Sequence, residues 1–144
     1  SAVEKLVSLL ETDDNAYVRR ATAWSLANYD NQIVLKPLIN SLKNDVASVR
    51  LWSSSSLAEI GSISTSNAQL AAEQLLISLK IDNEPVVRSN CIWSLCRLFE
   101  MLEDIFQEEF VDECTKIALF DKEPSVMEEA KTALDSMGMK GFYK

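Results

Sequence analysis

Two cysteines, Cys91 and Cys96, flank a tryptophan in the stretch VRSNCIWSLC at residues 87–96. Closely spaced thiolates are typical of metal sites, redox pairs and reactive nucleophiles. The chain contains no histidine, so it lacks the commonest general base and the commonest metal ligand. Catalysis by a serine–histidine or cysteine–histidine pair within this sequence is therefore excluded.

The spacing of the two thiols argues against a shared site. On a helix, five residues correspond to a rotation of about 140°, so the side chains of Cys91 and Cys96 would diverge. Cys114 falls in another predicted helix. We predict that these cysteines serve packing and that the chain has no metal site and no catalytic residue. Three cysteines without framework spacing favour a reducing compartment, and we expect a cytoplasmic location.

The cysteine-containing stretch is one of four similar copies along the chain. Each starts at a valine, has a small residue four positions later and a leucine eight positions later. Positions zero, four, eight and eleven lie within about 80° on a helix, which predicts one core-facing stripe per copy. The copies read VRRATAWSL at 18–26, VRLWSSSSL at 49–57, VRSNCIWSL at 87–95 and VMEEAKTAL at 126–134.

A second apolar helical pattern precedes each copy, and a short acidic turn separates the two. Only three glycines and three prolines occur, and no stretch alternates with period two, so the composition predicts an all-α protein. Pro37 falls inside one of these first helices, where we expect a kink. We predict a single domain over 1–144, with a short tail after four helix pairs at about 1–30, 31–62, 63–101 and 102–138.

Arginine follows the valine in the first three copies, at Arg19, Arg50 and Arg88. One interpretation is a row of anion-binding groups. The other is a structural ladder in which each guanidinium bonds the acidic turn of its own or a neighbouring unit, and we predict this ladder. The acidic residues expected to take part are Asp14, Asp45 and Asp82.

The arrangement of VR, small residue and leucine, often followed by glycine as in SLAEIG and ALDSMG, resembles the HEAT repeat. The variant with VR after an acidic turn is similar to the phycobilisome-lyase type of this repeat. The resemblance extends over nearly the whole chain and implies a right-handed α-solenoid, or α-α superhelix, of four HEAT-like pairs. Met127 replaces the arginine in the fourth copy, which we interpret as a C-terminal cap. The first helix lacks such a cap, and self-association through it stays open.

A partner-binding face is predicted opposite the core stripe. Offsets of two, six and nine from each valine point away from the packed side, and the second helices of a solenoid line its concave face. The alternative is that the large rings fold against adjacent repeats, as we expect for Trp52. The predicted binding residues are Arg20, Trp24, Leu51, Ser55, Ser89, Trp93 and Cys96.

These observations favour a non-catalytic scaffold that binds another protein, through a helical surface or segment and without a cofactor. The net charge of −8 argues against nucleic acid, and the apolar runs are too short for membrane insertion. The resemblance implies phycobiliproteins or iron–sulfur assembly factors as partners. It also implies an alternative, a bilin lyase or isomerase subunit that would hold a tetrapyrrole with Arg20, Trp24, Trp93 and Cys96.

Overall fold

The computed structural model describes residues 1–138, and in that range the chain forms eight α-helices and no strand. Consecutive helices pair as antiparallel hairpins, and the hairpins stack in chain order into an all-α solenoid. The tail predicted after residue 138 lies outside the described residues. The helices are α1 Ala2–Thr12, α2 Ala16–Leu26, α3 Leu35–Asn44, α4 Ala47–Gly61, α5 Thr65–Ile81, α6 Pro85–Leu98, α7 Asp104–Phe120 and α8 Pro124–Ser136.

The acidic turns explain where one helix of each pair stops and the next begins. An aspartate in extended conformation follows the last residue of each first helix. The Asp82 carboxylate then accepts a hydrogen bond from the Glu84 N–H at 3.0 Å, and Asp121 accepts one from Glu123 at 2.9 Å. Pro85 occupies the first position of the following helix, where its missing N–H costs nothing.

The predicted core stripe is confirmed, although three of its members, Val18, Tyr29 and Met137, are only partly buried. The four leucines at offset eight are fully buried, as are the small residues at offset four apart from slight exposure of Thr22. Cys91 fills this offset in the third unit and Ser53 fills it in the second. A larger side chain at this position would displace the neighbouring helix, because protein interiors are packed to near-crystalline density.

The interpretation of Pro37 was wrong. A short 3-10 turn at Gln32–Val34 precedes α3, which begins only at Leu35. Pro37 therefore lies in the first turn of the helix, where its N–H would have had no acceptor within the helix. The apolar pattern that suggested a longer helix includes the 3-10 turn.

The second helices of the pairs form the more tightly packed layer of the stack. Helices α2, α4, α6 and α8 contact one another in sequence more extensively than α1, α3, α5 and α7 do. Serine hydroxyls join their backbones, since Ser56 donates to the Ala23 carbonyl at 2.6 Å and Ser94 donates to that of Ser54 at 2.7 Å. A curved stack is closest on its inner side, so the second helices line the concave face.

Candidate protein-binding surface

Arginine side chains tie each unit to the next at the edge where the acidic turns lie. Arg19 donates from Nε and Nη2 to the Asp45 carboxylate at 3.0 and 2.9 Å, and from Nη1 to the Asp13 carbonyl at 2.8 Å. Arg50 repeats this arrangement with Asp82 at 2.9 and 3.0 Å and with the Asp45 carbonyl at 2.9 Å. Each of these two guanidinium groups therefore bonds the acidic turn of its own unit and the aspartate of the following unit.

The third rung of this ladder is weaker than the other two. Arg88 donates once to Asp121, from Nη2 at 3.0 Å, and once to the Asp82 carbonyl at 2.9 Å. Its Nε is buried and has no hydrogen-bond partner among residues 1–138. The ladder thus joins the fourth unit through one hydrogen bond to a carboxylate, whereas it joins the second and third units through two each.

Asp14 takes no direct part in the ladder, which corrects the sequence prediction. It is exposed and accepts no hydrogen bond from Arg19, because the contact to the first turn is made by the backbone carbonyl of Asp13. Every carboxylate in the ladder comes from the next unit, so the last one belongs to Asp121. The acidic residue directly after each first helix could have identified Asp121 from the sequence.

The contact between Arg19 and Asp45 shifts the pKa values of both groups in the direction of ion pairing. The hydrogen bond to Asp45 raises the pKa of Arg19 above its ordinary value. Burial disfavours the charged form of Asp45, but hydrogen bonds from Arg19 and from the Val46 N–H outweigh it and lower the pKa of Asp45. All three ladder arginines are bonded to aspartates of the next unit, so they do not form a free row for anions.

An aromatic cluster lies on the concave face at the first two units. Trp24 is 58% exposed and meets the ring of Trp52 edge-on, with centroids 6.4 Å apart and an angle of 83°. The guanidinium of Arg20 lies 5.6 Å from the ring centroids of both Tyr17 and Trp52. Together with Ala21 these residues line a depression of about 180 Å³. Trp52 is therefore only partly buried and belongs to this surface cluster.

A larger groove crosses α4, α6 and α8 on the same layer. Its volume is about 460 Å³, and Leu51, Ser89 and Trp93 all face it. Trp93 is 42% exposed, and Arg97, which also pairs with Glu59, lies 5.3 Å from its ring centroid. The remaining lining residues are Pro85, Val86, Asn90, Ser125 and Glu129.

Two predicted site residues are engaged within the fold. Ser55 accepts a hydrogen bond from the Asn90 amide at 2.7 Å and so braces α6 against α4. Cys96 is half-buried, and burial raises the pKa of its thiol to about 11. It does not line the groove beside Trp93, because its side chain packs toward the core and α8.

Sequence reasoning missed a set of exposed apolar residues on other surfaces. Ile81 and Phe120, the last residues of α5 and α7, are 75% and 78% exposed at the turn edge. On the outer layer, Ile33 and Leu70 line a cavity of about 430 Å³ between α3 and α5. The IDNEP and FDKEP motifs partly indicate the exposure of Ile81 and Phe120, because the residue before each capping aspartate is the last residue of its helix and lies at the turn edge.

We also searched the described residues for metal-binding clusters and for membrane-spanning helices and found neither. Cys91 and Cys114 are buried, burial raises the pKa of both thiols, and all three cysteines are free. No group of three or more cysteine, aspartate or glutamate side chains in residues 1–138 could hold a metal ion. None of the helices in that range is long and apolar enough to cross a bilayer.

Helix pairs stacked in chain order and tied by repeated arginine rungs define an α-helical repeat protein. A family model describing HEAT repeats matches residues 3–96, which is more than half of the chain. The chain therefore belongs to the HEAT-repeat family. A search of curated proteins found no match. HEAT repeats generally serve as scaffolds for protein interactions.

Proposed function

We propose that this protein is a non-catalytic scaffold whose concave face binds a helical segment of another protein. The observation that carries the proposal is the presence of two half-exposed tryptophans, Trp24 and Trp93, on one layer of helices. Trp24 packs edge-on against Trp52, and the Arg97 guanidinium lies against the ring of Trp93. These contacts restrict both rings before a partner binds. Tryptophan and arginine are the residue types most enriched at interface hot spots.

The form of the partner follows from what the concave face can offer. Every element there is a helix whose backbone groups are bonded internally, so an extended peptide would find no strand edge to pair with. The amide N–H groups of Asn90, which could have donated to a peptide carbonyl, donate instead to Ser54 and Ser55. An amphipathic helix satisfies its own backbone and needs only apolar hollows, which the cluster and the groove supply.

The proposal is tested by affinity capture from a native lysate with the wild type, a Trp24→Ala, Trp93→Ala variant and a matched control. The control is Leu70→Ala, Ile77→Ala, which removes similarly exposed apolar side chains from the outer layer. We expect the wild type and the control to retain the same protein, and the tryptophan variant to lose it.

Retention by the tryptophan variant with loss by the control would place the binding site on the outer layer. Circular dichroism checks that each variant is folded. If removal of the tryptophans unfolds the chain, Ser89→Arg replaces that variant, since it fills the groove without removing a packed ring. A folded Ser89→Arg variant that still retains the captured protein would refute the proposal.

The alternative remains a subunit of the phycobilisome-lyase type that holds a bilin. The pocket beside Arg20, the group suited to a propionate, has a volume of about 180 Å³, below the roughly 300–1,000 Å³ typical of ligand pockets. The larger groove is lined by Glu129 and by no arginine. The geometry therefore supports a protein partner better than a bilin. As part of this proposal, we expect the partner to be a phycobiliprotein or an iron–sulfur assembly factor and the location to be cytoplasmic. Visible absorbance on adding free bilin discriminates the two functions.

A further inference from the structure

Within residues 1–138, the concave face carries at each end one charged side chain without an opposite charge in salt-bridge distance. Arg20 on α2 contacts only aromatic rings and has no carboxylate within 4.0 Å among residues 1–138. Glu129 on α8 lines the groove beside Trp93, is half-buried, and likewise has no lysine or arginine in salt-bridge distance in the described chain. The two groups lie in the first and fourth units, next to the two hollows.

The other charged side chains on these four helices are engaged. The ladder holds three arginines, and Asp135 has interactions of its own. The remaining charges form the pairs Arg97 with Glu59 and Lys131 with Glu128. Arg20 and Glu129 are thus distinguished from their neighbours by lacking an opposite charge within the part of the chain that the structure describes.

We infer that the bound segment is a bipolar amphipathic helix, with an acidic residue over Arg20 and a basic residue over Glu129. This inference rests on the proposed function, because it assumes that a helix covers both hollows. Covering them removes water from both charged groups, and a desolvated charge without a counter-charge is destabilising. Opposite charges on the incoming helix compensate that cost and fix its direction along the stack.

The stacking of the helices sets the dimensions of this segment. Neighbouring helices pack roughly 8–10 Å apart, so α2 and α6 are separated by roughly 16–20 Å and α2 and α8 by roughly 24–30 Å. At 1.5 Å per residue, the apolar anchors over Trp24 and Trp93 would lie roughly 11–13 positions apart. The charges over Arg20 and Glu129 would be separated by roughly 16–20 positions.

The test uses three synthetic, tryptophan-free helical peptides with identical apolar anchors and different charges at the two ends. One carries glutamate and lysine, one carries glutamate at both ends, and one carries lysine at both ends. Binding is followed by fluorescence anisotropy of labelled peptide in 0.15 M NaCl. We expect the wild type to prefer the glutamate–lysine peptide by about threefold over each of the others, which is the range of a partly exposed ion pair.

Charge reversal should switch this preference. Arg20→Glu should favour the lysine–lysine peptide, and Glu129→Lys should favour the glutamate–glutamate peptide. The chain's net charge of −8 attracts basic peptides in general, so the controls change net charge equally but elsewhere. Lys36→Glu and Glu108→Lys alter exposed residues of the outer helices α3 and α7 and should leave the wild-type ranking unchanged.

The outcomes separate the inference from the proposed function. If no peptide binds, or if binding survives in the folded Trp24→Ala, Trp93→Ala variant, the concave face does not bind helices and both fail. If binding depends on the tryptophans but Arg20→Glu and Glu129→Lys keep the wild-type ranking, the proposed function stands and the bipolar partner is overturned. A switch in the controls as well would likewise overturn it, by assigning the preference to net charge.

Discussion

Replacing Arg50 by methionine should cost about 3 kcal/mol of the free energy of unfolding, near the lower end of the range for breaking a buried ion pair. Arg50 makes two hydrogen bonds to Asp82 and one to the Asp45 carbonyl. The Asp82 side chain is 5% exposed, so its carboxylate would remain buried without its counter-charge. Methionine keeps the unbranched stem, and the fourth unit already carries Met127 at this offset.

The matched comparison is Arg88→Met, which removes one hydrogen bond to a carboxylate instead of two. We expect it to cost about 2 kcal/mol, within the range for a single hydrogen bond to a charged group. Both variants, the single variant Asp82→Asn and the double variant Arg50→Met, Asp82→Asn are compared by urea unfolding followed by circular dichroism. The double variant should cost at least about 1.5 kcal/mol less than the sum of its single changes, because the buried carboxylate is gone.

Two results would refute this reasoning about the ladder. One is a loss for Arg50→Met no larger than that for Arg88→Met, which would mean that the bidentate contact adds nothing. The other is additivity of Arg50→Met and Asp82→Asn, which would mean that the two groups do not stabilise one another. Either result would mean that apolar packing and the serine hydrogen bonds, and not the ladder, hold the stacked units together.

Three further predictions concern pH, thiol reactivity and helix stacking. The pKa of Asp45 is lowered in the folded state, so its stabilising contribution is present above the unfolded pKa of about 3.9 and is lost as the pH falls through the folded value. The wild type should therefore lose more thermal stability below about pH 4 than Asp45→Asn does. With a pKa of about 11, Cys96 should be alkylated roughly 100-fold more slowly at pH 8 than a free cysteine, until urea unfolds the chain. Ser56→Ala removes the bond to the Ala23 carbonyl and should cost about 1 kcal/mol in urea unfolding, and no measurable loss would contradict the role of that bond.

The fold could be predicted from the sequence because one physical pattern is repeated four times. A valine, a small residue and a leucine at fixed offsets can share a face only on a helix, and all four copies bury these residues except for the half-buried Val18. Helix ends were predicted best where chemistry marks them, as at Pro85 and the capping aspartates. The start of α3 was missed because a 3-10 turn and an α-helix can share one run of apolar residues.

The candidate site was harder to predict, because exposure depends on neighbouring helices as well as on the helix that carries a residue. Helical offsets correctly predicted that Trp24 and Trp93 are exposed, but they could not predict that Cys96 faces α8. The same limit applies to Trp52, whose partial exposure depends on Trp24 in the preceding unit. Asp13 and Asp14 are adjacent aspartates that the sequence pattern does not distinguish, and only the backbone geometry of the turn makes the Asp13 carbonyl the acceptor.

Site-specific photocrosslinking tests the concave binding face most directly. A photoreactive phenylalanine analogue replaces Val86, an exposed apolar residue that lines the groove, or, as a matched control, the exposed Glu73 beside the outer cavity. Each folded protein is then irradiated with the protein that it captures from lysate. We expect adducts from position 86 on a helical segment of that protein and none from position 73. Adducts from position 73 alone would contradict it and assign binding to the outer layer of helices.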